Sequence, residues 1–404
     1  MHKCILLLSE AHISQETFSA SVELPVLAAT DSIKCAKQWL AACDESHAGC
    51  RPASPGKMPT RLLFLNASVD DDGDESLSVR LVETYNWTHR ARSALSHCWG
   101  RSDFIKLKHD TLDSFTGAIP LHQLTKMFKD AVKVTHFLGL QYLRIDSLCI
   151  VQDSKTDWGK EAGRMSFVYS ESYITIAAAA AEDGTMGLFL KDWARVDAAI
   201  IPSGFSSAMA LVAERCIHIQ GVHGTTLSAR AWVRQERLLS NRSIHFGCGE
   251  LFWECRSRDA CETLPNGLPE DLMLLNRRPR PPFYDDWQEI VESYSRCKLT
   301  FATDKLVALA GLACVASRAS DDEYVAGMWR SKLLNMLSWH RDLLPHENYL
   351  IPAKNDPKEY VAPTWFWASV DESIQFVHYL GSSSLSVYNH MVISRDCSLN
   401  EQYV

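Results

Sequence analysis

Long hydrophobic runs are scarce in this chain. The longest, 174–181 and 306–316, fall well short of the roughly 20 apolar residues that a helix needs to cross a bilayer, so no membrane span is expected. The apolar run 4–8 is too brief for a signal-peptide core and no small-residue cleavage site follows it, so secretion is not expected either. Positive charge is short as well. Lys and Arg number 41 against 49 Asp and Glu, a net charge of −8, which leaves no basic field to gather phosphate backbones and excludes nucleic acid as an expected partner. A disulfide framework is also missing. The thirteen cysteines are odd in number and scattered, which reads as thiols in a reducing, cytoplasmic setting, where the sequons at Asn66, Asn86 and Asn241 carry no weight. No phosphate loop is visible: Gly184 and Gly187 of EDGTMG are better explained by a turn.

What the chain does have is enough apolar material for a large core. With 404 residues and 46% hydrophobic side chains, two or three structural units are expected, divided here as 1–80, 81–260 and 261–404. Spacing by three and four predicts a helix over 31–43, with Asp31 or Ser32 as its N-cap, and the strand RLLFLNA follows, with a hairpin tip at 70–75. A strand over 93–99, a helix over 121–138 ended by Gly139, the strand LQYLRIDSLCIV, a helix over 157–169 with Trp158, Ala162, Met165 and Tyr169 on one side, and the strand SYITIAAAAA come next. Alternation of this kind predicts an α/β fold with a parallel sheet and helices on both faces. ARAWVRQERLLS reads as a helix from near Ser228, and SIHFGCGELFWEC as a hairpin around Gly247 and Gly249. NRRPRPPF, 276–283, reads as a linker into an α+β C-terminal region, with helical patterns at 285–294, 304–317 and 328–339 and an aromatic strand in APTWFWASVD.

Chemistry in a parallel sheet gathers at the carboxyl ends of the strands. Those ends hold Ser96, His97 and Cys98, then Asp146, Ser147 and Cys149, then Glu182 and Asp183. Asp146 sits in an apolar segment, where a carboxylate needs hydrogen-bond donors or a raised pKa; it reads first as an acceptor tying down the loop 96–100, and second as an acid or base. Glu236 and Gln235 point about a quarter-turn apart on their helix and are not expected to face the core together. Glu236 is the first choice of catalytic carboxylate and Glu161 the second, each set against the plainer reading of an exposed helix charge. His97 and Cys98 point to opposite faces and cannot form a dyad, although His97 alone can line a cleft with Asp146 and Glu236. Ser96, Trp99, Gly100, Gln152, Trp232 and Gln235 complete the expected binding surface, with Trp99 and Gly100 shaping the strand exit.

A metal reading rests on Cys43, His47 and Cys50 in C-x3-H-x2-C spacing, with Cys35 offering a fourth ligand from the same short helix. Zinc sites usually present paired short knuckles, and seven residues between Cys35 and Cys43 is long for one. Zinc is therefore not expected, and no metal ligand is assigned.

ALSHCWG, then YLRIDSLCIVQD with DWGKEAGRMSFVYSESYITIAAAAAEDGTMGLF, then RAWVRQERLLS with IHFGCGELFWEC stand in an order and spacing that resemble the heterokaryon incompatibility (HET) domain of filamentous fungi. WLAACDESHAGC and PTRLLFLN upstream, and YSRCKLTFATDKLVALAGLA, YVAGMW and APTWFWASVD downstream, extend the resemblance over roughly 38–371. Arg144, His97 and Ala231 depart from the residues commoner in that family, Arg144 reading as a salt-bridged or solvent-facing variant. The resemblance implies a fungal effector of non-self recognition (allorecognition) and programmed cell death, working with other proteins or by self-association. It also implies a flavodoxin-like or Toll/interleukin-receptor-like sheet, a fold with NAD-cleaving relatives, so NAD stands as a candidate substrate and no cofactor is certain. Because no receptor, repeat or prion-like segment accompanies the domain in these 404 residues, two alternatives stay open. One is a small-molecule enzyme of fungal specialised metabolism and the other a non-catalytic scaffold.

Overall fold

The computed structural model describes residues 4–8, 29–51, 58–69, 75–190, 198–202, 209–213, 218–268, 279–342 and 362–377. The chain divides into two compact units, Met1–Arg278 and Pro279–Val404.

The first unit is built on an eight-stranded sheet of β1 (Arg61–Val69), β2 (Glu75–Glu83), β3 (Ser93–Ser96), β4 (Tyr142–Arg144), β5 (Ile174–Ala177), β6 (Arg242–Phe246), β7 (Leu251–Cys255) and β8 (Asp259–Cys261), in the order β8-β7-β6-β5-β3-β4-β1-β2. The four central strands are parallel and run β4-β3-β5-β6 across the sheet, the flavodoxin-like order of second, first, third, fourth. Antiparallel pairs extend this parallel core on both sides, so the sheet is mixed: β1 joins β4 and β2 on one side, and the β6–β7 hairpin with β8 continues the other. Strands of the 1–80 and 81–260 segments thus share one sheet. A separate antiparallel sheet pairs Cys4–Leu8, Met209–Ala213 and Ala198–Pro202.

Side-chain alternation along the central strands gives the sheet two different faces. Leu95, Ile174, Ile176, Ile244, Phe246 and Trp253 point into the main apolar core, where α1 (Ala29–Ser46) and α3 (Lys126–Phe137) cover them through Trp39, Leu40, Met127 and Phe128; α2 (Leu112–Gly117) adds Phe115. The opposite face presents Ser96, Thr175, Ser243 and His245. It is covered by α7 (Ala231–Leu239), which packs beside α6 (Met165–Ser170).

Several local expectations change. The first helix begins at Ala29, so neither Asp31 nor Ser32 caps it. Residues 121–138 form a short 3-10 turn and then α3, whose N-cap Thr125 accepts from Phe128 N at 3.2 Å, and Gly139 ends that helix at φ 80° as expected. The helix predicted over 157–169 is two: α5 (Lys155–Ala162), capped by Ser154, and α6, separated at Gly163 and Arg164. Trp158 is 41% exposed, because α5 is oriented by the burial of Glu161 rather than by its tryptophan. The LQYLRIDSLCIV strand stops at Arg144 and gives way to α4 (Asp146–Cys149), a single helical turn. Ser228 belongs to the turn before α7, where its hydroxyl accepts from Thr225 N at 3.1 Å. The hairpin tip falls mostly on 70–74 and the linker's start on 276–278, both outside the described residues.

The second unit packs α8 (Trp287–Ser295) and α9 (Val307–Ala319) with two small antiparallel strand pairs around buried Trp287, Trp329 and Trp367. The aromatic stretch APTWFWASVD is not a strand. It forms a 3-10 turn at Trp367–Ser369 that buries Phe366 and Trp367, and the strand comes later, at Ile374–Phe376. The pattern at 328–339 likewise resolves into the strand Met328–Trp329 and the short helix Leu333–Leu337, because an apolar, aromatic run does not by itself separate strand from buried turn.

Candidate functional site

The order β4-β3-β5-β6 reverses direction between β3 and β5, and in such sheets ligands bind beyond the carboxyl ends of the strands at that reversal. Ser96, the last residue of β3, pairs in register with Ala177, the last of β5. Opposite them, α7 lays a run of polar side chains onto the polar face of the sheet. Gln235, Glu236 and Arg237 are 1%, 7% and 5% exposed. The expectation that Gln235 and Glu236 could not both turn inward fails, because α7 packs against both the polar face of the sheet and the neighbouring α6 and is buried around most of its circumference.

Glu236 is the centre of this layer. The hydroxyls of Ser96 and Tyr169 lie beside its carboxyl, yet Glu236 Oε2 and Ser96 Oγ are buried without a partner in hydrogen-bonding geometry. Each such atom costs about 1–3 kcal/mol. Burial pushes the Glu236 pKa from 4.5 up to about 7, with the negative charge of Asp146 adding to the rise, while Ser96, Arg230 and Tyr169 oppose it. Burial also raises the Tyr169 hydroxyl, with Glu236 and Asp146 contributing. Ser96, Thr175, Ser243, His245 and Arg237 line a small cavity next to this cluster, about the size of one water molecule.

A second buried network adjoins it. Arg237 grips Glu254 through Nε at 2.8 Å and through its terminal nitrogen at 2.5 Å, and His245 Nε2 meets the same carboxylate at 2.9 Å. His223 stacks its ring nitrogens against the Arg237 guanidinium, 2.9 Å at the closer contact, and burial together with that cation pulls its pKa down to about 2. Sequence patterning missed these residues. Ser243, His245 and Glu254 lie on one side of the β6–β7 hairpin, and the cover by α7 makes them interior.

The other candidates are placed apart. Arg144, 1% exposed, donates to Asp146 at 2.9 Å, pairs with Glu161 at 3.1 Å and donates to the Arg61 carbonyl at 3.2 Å. Glu161 is fully buried and also takes the Thr60 hydroxyl. It is held as a structural anion, and Arg144 is salt-bridged rather than solvent-facing. Asp146 pairs with Arg144, and Gln152 braces its backbone by donating to the Asp146 carbonyl at 3.2 Å and to that of Ile150 at 2.9 Å. His97 lies on the α3 side against Phe128, ring centroids 5.3 Å apart, not beside Glu236. Burial and then Arg230 bring its pKa down to about 3, so its imidazole is neutral. Cys98 is buried on the Glu236 side near Arg230, and burial raises its thiol. Trp232 is half-buried on α7.

Trp99 is half-buried against Phe104 at 5.7 Å. The tie expected of Asp146 on the following loop is made by Asp183, which accepts from Ser102 Oγ at 2.7 Å. Gly100 makes this approach possible: its φ is 67°, and a Cβ there would stand 2.2 Å from the Asp183 Cβ. Gly100→Ala is therefore expected to lower stability by about 1–3 kcal/mol, read as a drop in thermal midpoint. An unchanged midpoint would show that the two loops are not held together.

The fold and this site define an α/β protein with a buried polar layer at the switch point of a parallel core. Residues 93–236, from the start of β3 to Glu236 itself, match the family model "Heterokaryon incompatibility protein (HET)", and the chain carries a domain of that family. No curated protein and no solved structure matches the chain significantly. Among the described residues no helix is long and apolar enough to cross a membrane.

Proposed function

We propose that the chain is an effector of fungal non-self recognition and regulated cell death, and that its output is cleavage of NAD at Glu236. The observation that carries this reading is the buried, incompletely satisfied pair of Glu236 Oε2 and Ser96 Oγ at the switch point of the sheet. Other buried polar atoms also lack partners, but these two stand together at the carboxyl ends of the parallel strands, where ligands bind in such sheets.

The chemistry asks little of the protein beyond a well-placed anion. When the bond between the ribose carbon and the nicotinamide nitrogen breaks, the electron pair goes to an already cationic ring, which leaves neutral without an acid. Positive charge develops on the ribosyl centre, where the Glu236 carboxylate would stabilise it until water adds, giving ADP-ribose, nicotinamide and a proton. Only the ionised form of Glu236 can act, so the rate is expected to rise with pH through about 7. The lining residues Val222, Thr225 and Leu227 precede α7 and enclose the polar layer, and association with a partner or with further copies would move this cover to admit a nucleotide.

The small size of the cavity favours a second reading, a non-catalytic interaction scaffold. Expression in a fungal host separates the two. Growth arrest with a fall in cellular NAD, both relieved by Glu236→Gln at equal protein level, supports the effector enzyme. Arrest with NAD intact supports the scaffold.

A further inference from the structure

Three side chains from one short stretch and a fourth from far along the first unit converge beside the main core. Cys43 lies near the end of α1, His47 just beyond it, Cys50 closes the 3-10 turn Ala48–Cys50, and Cys255 ends β7. The ligand atom of each lies within 4.8 Å of the others. Cys255 Sγ and His47 Nδ1 are 3.5 Å apart although 208 residues separate them in sequence. Cys35, the fourth ligand suggested by spacing, is not part of the group.

The geometry points to a structural zinc site of the Cys3His type, formed by Cys43, His47, Cys50 and Cys255. Tetrahedral zinc, with bonds of about 2.3 Å to sulfur and 2.0–2.1 Å to nitrogen, sets its ligand atoms about 3.5–3.8 Å apart. The observed group, its atoms within 4.8 Å of one another, would contract by no more than about 1.3 Å to meet that spacing. The three cysteines are fully buried thiols and His47 is half-buried, as in a closed site with no position for substrate.

The surroundings suit thiolates. Arg258 N donates to Cys255 Sγ at 3.2 Å, Arg242 Nε donates to Cys43 Sγ at 3.3 Å, and Ser257 Oγ lies 3.9 Å from Cys50 Sγ. Each sulfur therefore has a donor of its own, the kind of outer-shell support that orients metal ligands. Three thiolates, a neutral imidazole and Zn2+ sum to one negative charge, beside the buried Arg242 guanidinium, which also pairs with the part-exposed Asp44 at 2.7 Å. A disulfide explains the arrangement less well, because it joins only two of three sulfurs that share one centre.

The position also has a structural purpose. α1 already docks on β7 through Trp39, whose ring lies 6.3 Å from that of Trp253 and whose Nε1 donates to the Pro265 carbonyl at 2.8 Å. A metal at its C-terminal end would fix the helix and the following turn to the edge of the sheet. Because the bond set exists only in the folded chain, metal binding would add directly to folding stability.

The test uses the full-length protein, purified under reducing conditions without chelator. The expected result is about one zinc ion per chain retained through desalting, its removal by chelator lowering the thermal midpoint and exposing three further thiols to a thiol reagent. Cobalt loaded in its place should give a thiolate-to-metal charge-transfer band. Cys255→Ser should lower retained zinc at least about tenfold, whereas Cys35→Ser, on the same helix but outside the group, should leave it unchanged. Protein that holds no zinc after incubation with the ion, or that gives cobalt spectra without the thiolate band, overturns the proposal. So does a folded Cys255→Ser chain with full zinc content, or a disulfide among these cysteines in protein purified under reducing conditions. The cobalt measurement needs no variant and decides the matter even where Cys255→Ser fails to fold.

Discussion

Replacing Arg144 with methionine is expected to destabilise the chain by about 3–5 kcal/mol, measured by urea unfolding, because it strands a buried anion rather than because it removes an attraction. Glu161 is fully buried, and without Arg144 only the Thr60 hydroxyl and Arg164, 3.9 Å away, remain to it. Asp146 loses its 2.9 Å donor in the same step. Adding Glu161→Gln to that variant should recover at least about 1 kcal/mol, since the uncompensated charge is then gone. A loss below about 1 kcal/mol in Arg144→Met would mean that water reaches Glu161 and that the pair is not a fixed part of the core.

The second large effect belongs to Glu236. Its pKa in the folded chain, about 7, lies above the ordinary 4.5, so the native state binds a proton more tightly than the unfolded chain does. That contribution to stability is complete below pH 4.5 and is lost as pH rises through about 7. Glu236→Gln has no proton to lose. The variant should therefore gain on the wild type from pH 4.5 upward, levelling above pH 7 at about 3 kcal/mol. The comparison must be between the two chains rather than along one pH curve. Glu250 is also pushed up to about 7 by burial, while His97 and His223 are held near 3 and 2 and slope the other way; the difference cancels all three. A pH-independent difference would place Glu236 in contact with solvent. Gain in stability with loss of output in one substitution is the expected mark of a residue kept for function at the expense of the fold.

Periodicity and turn residues made much of the architecture legible in the sequence. The parallel core, the helix ended by Gly139 and the hairpin around Gly247 follow from local patterns that burial reinforces. Glu236 was also visible, as a carboxylate on a helix beyond the third parallel strand, in the family block that includes it. What local pattern could not show was which groups meet across long separations. Thr60 reaches Glu161 across 101 residues, and that contact with Arg144 turned a candidate catalytic carboxylate into a structural anion. Cys255 meets His47 across 208 residues, in the place beside Cys43 and Cys50 that spacing had offered to Cys35. The pattern of β6 and β7 showed the hairpin but not that the side carrying Ser243, His245 and Glu254 is covered by α7.

The central claim, that the Glu236 layer is a site of chemistry, is tested most directly by nicotinamide release from NAD. The assay uses purified protein, alone and artificially clustered, across about pH 6 to 8. The account predicts release by the clustered wild type that rises with pH through about 7 and is abolished in a folded Glu236→Gln chain. NAD left intact by clustered, folded wild type, or cleaved equally well by Glu236→Gln, would contradict it.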